Sequence, residues 1–402
     1  MSRPDWIVLV LTLLGIIAYG LYKGRTSRDL EGYFLSNRTV PWYMVLLGIM
    51  GTQASAVTFL SAPGQAYTDG MRFVQYYFGL PLAMVVLCIS FVPVFHRLKV
   101  FTAYEYLEQR FDLKTRALTS FLFLVQRGLS TGISIAAPSI ILSSLLGWDI
   151  LWTNILMGGL LIIYTMTGGA RAVAYTQQLQ MIIIFSGMTI AGYMVIHRLP
   201  AGVGWSEILH TGGSTGKLNI ITTGFEKGDG FDWNDKYNLL SGIIGGFFLA
   251  LSYFGTDQSQ VGRYLTARSV SESRLGLLMN GLVKVPMQFL ILLLGVMVFT
   301  FYQYNKEPIF FNKGQLSLLE HSKYKDSLMI VTNRYEELEK ERLAGKEAPA
   351  AAQEKAAHKA TVRRWLSDPA VGGDSNDTNY IFLRFVTDYL PKGLVGLLIA
   401  VI

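Results

Sequence analysis

Long apolar stretches separated by polar loops dominate the pattern of the chain. Most of them hold about twenty residues with few charges, the length that crosses a hydrocarbon core about 30 Å thick. The pattern predicts nine helical segments, at approximately residues 6–22, 42–68, 73–96, 117–146, 148–167, 175–197, 238–262, 275–303 and 388–402. We therefore expect an all-α, polytopic membrane protein. As a helix, the last segment rises only about 22 Å, so we expect that Ile402 is not the natural end of that span.

Composition and charge agree with a membrane protein. Of the residues, 51% are hydrophobic and only 16% are charged, against about a quarter charged in soluble domains. The net charge of +7 could indicate a nucleic-acid partner, but the cations are spread over short loops, which excludes a single basic patch. These loops alternate along the chain, and the positive-inside rule assigns them to the cytoplasm. This predicts an external N-terminus in a plasma membrane, or in the inner membrane of a Gram-negative bacterium.

A long loop at 304–387 interrupts the series of spans. Its charged, Ala-rich stretch around Tyr335–Arg364 is typical of a solvated helix or hairpin. We interpret the loop as an extracytoplasmic solvated insertion, with a functional lid as the alternative.

The segment from Gly48 to Gly64 is dense in Gly, Ser, Thr and Ala. Gly51, Ala54, Ser55 and Thr58 follow i, i+3, i+4, i+7 spacing and share one helical face. Small residues allow close packing of helices. The same composition is typical of transporter helices that break at mid-membrane and release backbone carbonyls to ions. This segment alone leaves both interpretations open.

A second interrupted stretch, Gly245–Gln260, favours the transporter interpretation. It begins five segments after the first, as an inverted repeat of five plus five helices requires. This predicts an extra helix at 6–22, a first repeat over 42–197 and an incomplete second repeat over 238–402.

Two cations fall inside apolar segments. Lys284 lies about ten residues into the segment 275–303, and a buried charge in a membrane marks a pathway, an ion pair or a substrate contact. Arg127 could anchor an anionic solute or extend to the membrane interface.

Several motifs resemble the sodium/solute symporter family. Gly168-Gly-Ala-Arg-Ala-Val-Ala-Tyr-Thr-Gln-Gln-Leu-Gln180 is similar to the family signature Gly-Gly-x-x-Ala-Val-x-Trp-Thr-Asp-x-x-Gln, and further similarity is found at 31–38, 102–111, 253–263 and 390–400. The resemblance implies a LeuT-type inverted-repeat fold, alternating access and Na⁺ as the coupling ion. It also implies a sodium site formed by the backbone carbonyls of Gly51 and Ala54 and by paired hydroxyls expected beyond Ile402. Two carbonyls do not complete the shell of a hard cation, so we expect that this chain alone neither binds sodium tightly nor transports.

The resemblance also implies solute-contacting residues. They are Gln53, Ser55 and Thr58 on the first broken helix, Tyr253 as an inner aromatic gate, and Lys284. The sugar carriers have a carboxylate and a serine where this chain has Tyr77 and Leu80, which argues against a galactose-type sugar. Gln177 replaces the aspartate of the signature, which favours coupling to one sodium ion.

These observations predict a sodium:solute symporter that carries a small polar or anionic organic solute inward. The alternative is a solute sensor or membrane scaffold that reuses the fold without transport. An enzyme is not expected, because the five histidines fall in loops or at the ends of spans, where they form no metal or proton-transfer cluster.

Overall fold

The computed structural model describes residues 2–24, 30–53, 57–225, 230–346 and 349–401. Within this part of the chain we number the α-helices in order: α1 (Arg3–Gly24), α2 (Leu30–Leu35), α3 (Trp42–Gln53), α4 (Ala62–Asp69), α5 (Leu80–Ile89), α6 (Phe91–Leu98), α7 (Ala103–Arg110), α8 (Leu113–Leu146), α9 (Ile150–His197), α10 (Trp205–Ser214), α11 (Gly246–Thr256), α12 (Gln258–Leu265), α13 (Val270–Tyr304), α14 (Lys313–Glu320), α15 (Lys325–Leu343), α16 (Pro349–Leu366), α17 (Ile381–Tyr389) and α18 (Leu394–Val401). The all-helical prediction is confirmed.

In the described part of the chain, not all of the nine predicted apolar segments form helices long enough to cross a membrane; the last, 388–402, was expected to be too short. Among the described residues, five helices are long and apolar enough to cross a membrane, and one bent pair makes a sixth span. The predicted segments 148–167 and 238–262 correspond to the shorter apolar helices Ile150–Ile163 and Ser241–Thr256. Large apolar side chains such as Leu129 and Ile133 of α8 are about 70% exposed (69% and 72%), as expected where lipid is the solvent.

The first interrupted helix is sharply bent, as predicted. Trp42–Gln53 and Thr58–Asp69 meet at 74°. The half that follows the bend is packed closely through glycines, because a Cβ atom on Gly64 would overlap the Thr378 carbonyl and one on Gly295 would overlap the Pro63 carbonyl. The position of α4 therefore depends on α13 and on the turn before α17.

The second interrupted helix breaks near the end of the predicted stretch 245–260. A π-helical turn at Ser241–Gly245 leads into α11, which continues without a break to Thr256. Only Asp257 has an extended backbone (φ −79°, ψ 115°), and α12 begins directly after it. Gly242 and Gly246 allow close packing against residues 75–79, since a Cβ atom on Gly242 would overlap the Gln75 carbonyl and one on Gly246 would overlap the Tyr76 carbonyl.

The loop expected at 168–174 is also absent. The two predicted segments join in α9, where only Gly169 departs from helical geometry (φ 58°, ψ −170°). This conformation favours glycine, and the residue also packs within 3.0 Å of Tyr33, measured from the position a Cβ atom would occupy. A single glycine therefore makes the turn between these spans.

A short backbone bridge ties the two interrupted helices together. The Val40 N–H donates to the Thr266 carbonyl at 3.1 Å, and the Arg268 N–H donates to the Val40 carbonyl at 3.2 Å. The residues before α3 and after α12 therefore lie on the same side of the protein.

The described residues of 305–380, which we call the helical cap, form a folded unit on the side of the protein opposite the Val40 bridge. Helices α14, α15 and α16 pack around a buried apolar cluster of Ile309, Phe310, Leu319, Leu328, Tyr335, Val362 and Leu366. The cap is attached to α4, because the Tyr67 hydroxyl donates to the Glu307 carboxylate, which also pairs with Lys359 at 2.7 Å. The loop predicted as a solvated helical insertion thus has a core of its own.

Glu339 is the buried carboxylate of the cap. It accepts hydrogen bonds from Arg342 at 2.8 Å, from Lys355 at 3.1 Å and from the Glu307 N–H at 3.0 Å. Burial acts to raise the pKa of Glu339, but Arg342, the Glu307 N–H and Lys355 together hold that pKa below its ordinary value. The ionised carboxylate therefore stabilises the folded cap above pH about 4.3, and this stabilisation is lost as the pH falls through the lowered pKa.

We expect Glu339→Gln to destabilise the cap by about 3 kcal/mol at pH 7, because Arg342 and Lys355 lose their buried counter-charge. The variant should also lose much of the acid sensitivity of the cap. Hydrogen exchange of the α15 and α16 amides at pH 7 and pH 4, followed by mass spectrometry, measures both effects.

The matched control is Glu336→Gln. Glu336 pairs with Lys306 at 2.8 Å, and both side chains are about half exposed (42% and 51%), so its removal should cost less than about 1 kcal/mol. Equal exchange in the two variants would contradict the role given to Glu339.

Candidate solute and ion site

The bend of the first interrupted helix holds the predicted ion and solute residues. The Thr58 hydroxyl donates to the Gln53 carbonyl at 3.3 Å, which links the two halves of the bend. The Gln53 Oε1 atom is buried and has no hydrogen-bond partner among the described residues. Ala54 and Ser55 lie outside the described residues. Gly51 lies in the last turn of α3.

Thr52 connects this bend to two other helices. Its hydroxyl donates to the Gly48 carbonyl at 2.7 Å and accepts from Gln177 Nε2 at 3.3 Å and from Arg263 Nε at 3.0 Å. Gln177 also lies directly against Gly51, 2.9 Å from the position of a Cβ atom there. The Gln177 Oε1 atom is buried without a partner in the described part of the chain. Two amide oxygens beside the bend, those of Gln53 and Gln177, are thus free to accept.

A row of buried polar residues follows one face of α13. Asn280, Lys284 and Gln288 are spaced by four residues and are each at most 1% exposed, so they lie above one another on the helix. Both side-chain amide atoms of Asn280 and the Oε1 atom of Gln288 have no partner within the described ranges. No carboxylate of the described residues pairs with Lys284. We call these three residues the α13 polar row.

Tyr77 lies beside the lysine of this row. The Lys284 ammonium is 5.7 Å from the centre of the Tyr77 ring, a distance at which the ring attracts a cation. Tyr77 stands where the sugar carriers place a carboxylate, so the ring contacts the lysine but does not neutralise its charge.

Arg127 is paired at the second helix break. Its guanidinium forms an ion pair with the Asp257 carboxylate and donates to the Ser259 hydroxyl at 2.6 Å. Asp257 also accepts the Ser259 N–H at 2.9 Å and thereby caps α12. The Arg127 guanidinium lies 5.8 Å from the centre of the Tyr253 ring. Arg127 therefore neutralises the Asp257 carboxylate at the second helix break.

Tyr253 lies with Arg127 and Asp257 at the second helix break. Its hydroxyl accepts from Gln260 Nε2 at 2.9 Å. The predicted gate residue therefore lies with Arg127 at the Asp257 break, whereas Lys284 lies over Tyr77 on α13. Tyr253 and Lys284 were both predicted to contact the solute, but in the structure they have different neighbours.

Four residues at these sites escaped the sequence analysis: Thr52, Asp257, Asn280 and Gln288. Asn280 and Gln288 carried a signal, since three polar residues at i, i+4 and i+8 in an apolar span mark one buried face. Thr52 and Asp257 carried none, because their partners come from helices more than 100 residues away.

The chemistry of the site is that of neutral oxygens and two cations, Lys284 and Arg263, of which Arg263 donates to the Thr52 hydroxyl. Among the described residues no group of three or more His, Cys, Asp or Glu side chains could hold a metal ion. Amide, hydroxyl and carbonyl oxygens are ligands for hard cations, and an unpaired ammonium recognises an anion.

Comparison with known proteins identifies the relatives of the chain. The sequence profile of the sodium:solute symporter family matches residues 33–317. The human sodium/iodide cotransporter is 30% identical over 305 residues, which is 74% of this chain and 45% of that protein. Sodium-coupled monocarboxylate transporter 1 of Xenopus laevis is 29% identical over 284 residues, 69% of this chain and 43% of that protein. The sodium/sialic acid symporter SiaT of Proteus mirabilis is 28% identical over 315 residues, 77% of this chain and 61% of that protein. The chain thus spans about half the length of these relatives.

The fold also matches a solved structure. A Na⁺-coupled sialic acid symporter in a substrate-bound, outward-open state superposes with a TM-score of 0.74 at 22% identity, over 100% of this chain and 68% of that chain. The LeuT-type fold expected from the sequence is thereby confirmed.

The ion pair between Arg127 and Asp257 makes a quantitative prediction for stability. We expect Arg127→Gln and Asp257→Asn each to destabilise the protein by about 3 kcal/mol, because each leaves a charge unpaired in the membrane. The double variant should lose clearly less than the sum, since it leaves no charge behind. Reversible unfolding by sodium dodecyl sulfate in bicelles, arranged as a double-mutant cycle, measures the coupling.

Arg116→Gln is the control on the same helix, because Arg116 pairs with Glu108 where both side chains are more than one third exposed (36% and 37%). It should cost less than about 1 kcal/mol. Additive losses in the cycle would show that Arg127 and Asp257 do not act as a pair.

Proposed function

The chain belongs to the sodium:solute symporter family, and from this membership we propose that the protein carries a small anionic organic solute inward, coupled to sodium, by alternating access. The family assignment made from the motifs is confirmed. The relatives reported above are named as cotransporters, transporters and symporters, which also confirms that the chain does not belong with enzymes.

The observation that carries the solute class is Lys284 in the α13 polar row. A buried ammonium costs several kcal/mol unless a counter-charge repays it, and no carboxylate of the described residues does so here. A carboxylate on the solute would supply the missing charge, the free Nδ2 group of Asn280 would donate to one of its oxygens, and the free Oε1 atom of Gln288 would accept from a donor group of the solute. Tyr77 in place of an acid supports an anion over a neutral sugar.

We assign sodium to the bend of the first interrupted helix. A bend of 74° interrupts the helical hydrogen-bond ladder, which supports the proposed use of the Gly51 and Ala54 carbonyls as ligands. The free Oε1 atoms of Gln53 and Gln177 lie at the same bend and are further oxygen ligands of the kind sodium prefers. Gln177 carries no charge where the signature has aspartate, so we propose that one sodium ion accompanies each solute.

We place the solute between this bend and the α13 polar row. Gln53, Ser55 and Thr58 would contact it from the bend and Lys284 from α13, while Tyr253 would close the inner side together with Arg127. Residues 42–197 and the chain from 238 onward would form the two repeats, with α1 as an extra helix.

We also propose that the N-terminus faces the outside of a plasma membrane. The bridge between Val40 and Ala267 supports this orientation, because it joins two cationic loops that the positive-inside rule assigns independently to the cytoplasm.

Uptake into proteoliposomes tests the proposed function. We expect the protein in its full natural length to accumulate a radiolabelled monocarboxylate or sialic acid when a sodium gradient is applied. The initial rate should depend on sodium with a Hill coefficient of about 1. A potassium gradient of the same size is the control.

Coupling of two sodium ions per solute would reject the stoichiometry. Saturable solute binding without flux would reject transport and support a sensor, for which the glutamine at position 177 in place of the signature aspartate is the favouring observation.

Lys284 should determine the preference for an anion. We expect Lys284→Gln to raise the KM for the acid by about 10- to 100-fold, the loss of one charge-assisted hydrogen bond. The KM for the corresponding neutral amide should change little, and Lys284→Arg should retain part of the preference. Uptake rates with the acid and its amide measure the effect.

Lys325→Gln, on the exposed surface of α15, is the control for a lost positive charge. If Lys284→Gln weakened the acid and the amide equally, Lys284 would have a structural role and no role in selecting the anion.

A further inference from the structure

The predicted cytoplasmic face has two adjoining cavities outside the solute site. The first, of about 450 Å³, is lined by Arg97, Arg110, Gln109 and Tyr106. The second, of about 410 Å³, is lined mainly by apolar side chains of α6, α7, α8 and α11. Val94 and Tyr106 line both cavities, so the two form one groove with a basic end and an apolar end.

The basic end carries a free positive charge. No described carboxylate pairs with Arg97 or Arg110. The acids nearest in sequence, Glu105 and Glu108 of α7, pair instead with Arg116. The Arg110 guanidinium makes a long contact of 3.5 Å with the Tyr106 hydroxyl and lies 6.0 Å from the centre of the Phe111 ring. Two arginines are thus available to an anion, and arginine binds phosphate oxygens through two parallel hydrogen bonds.

The position of the groove matches the depth of a lipid. The span Met71–Leu98 ends beside Arg97, so the basic end lies at the level of lipid headgroups. Phe91 in the apolar end is six residues before Arg97 in α6, which places it about 9 Å nearer the middle of the membrane. The charge of the groove and its depth in the membrane therefore both indicate a ligand with an anionic headgroup and an apolar tail.

We propose that the groove binds an anionic phospholipid, whose phosphate contacts Arg97 and Arg110 and whose acyl chain lies between α6, α7 and α11. Basic pockets between membrane helices on the cytoplasmic side bind anionic headgroups in this way. Gly255 and Thr256 line the apolar end, directly before the Asp257 break. The bound lipid therefore contacts the second interrupted helix next to its break.

Native mass spectrometry of the purified chain tests the proposal, with palmitoyl-oleoyl phosphatidylglycerol and phosphatidylcholine added to the detergent in equal amounts. We expect phosphatidylglycerol to be retained about 30-fold better, the effect of about 1 kcal/mol for each arginine. The double variant Arg97→Gln with Arg110→Gln should bind both lipids equally. Both arginines are exposed, so their replacement should leave the fold intact.

Two further arms separate this site from general effects. Lys114→Gln removes an exposed cation that lies outside both cavities and should keep the full preference. Val94→Trp fills the groove and should lower the retention of both lipids. Equal binding of the two lipids, an equal loss in Lys114→Gln, or complete displacement of the lipid by millimolar inorganic phosphate would overturn the proposal.

Discussion

The structure depends on how the chain satisfies backbone groups where a helix is interrupted inside a bilayer. Lipid offers no hydrogen bonds, so each released N–H or carbonyl must find a partner in the protein or in a bound ligand. The chain interrupts two helices in its membrane region, between Gln53 and Thr58 and at Asp257. At each break, side chains of the neighbouring residues supply hydrogen-bond partners.

The two breaks are stabilised in different ways. At Asp257 the carboxylate caps α12 and is neutralised by Arg127, so the break is closed by side chains of the protein. At the bend after Gln53, Thr58 donates to one carbonyl and Arg263 donates to the Thr52 hydroxyl, while the amide oxygens of Gln53 and Gln177 have no partner among the described residues. Among the described residues, amide oxygens without a partner lie at both breaks: Gln260 Oε1 near Asp257, and those of Gln53 and Gln177 at this bend. The bend has two of them, and it is there that we propose an ion completes the structure.

The helical fold, the first break and Lys284 could be predicted because each has a local signal in the sequence. The long apolar stretches predict the helices, the density of small residues predicts the break, and a charge in an apolar span marks Lys284. The pairing of Arg127 with Asp257 was beyond reach, since it depends on the register of helices 130 residues apart. For the second interrupted helix the sequence indicated only the stretch 245–260, and the structure locates the break at Asp257, while Gly242 and Gly246 serve packing. Asn280 and Gln288 were missed because a search for charges passes over neutral amides, although their spacing from Lys284 was visible.

The α13 polar row explains why the fold tolerates a buried lysine. In the interior, the desolvation of an ammonium exceeds what a contact with the Tyr77 ring returns. A row that served stability alone would satisfy its members, yet the amide groups of Asn280 and Gln288 have free atoms that face no described partner. Apolar residues of similar size would pack this face of α13 at a lower cost. The polar row is therefore best explained by a ligand whose charge and oxygens complete it, which is the solute that we propose the protein carries.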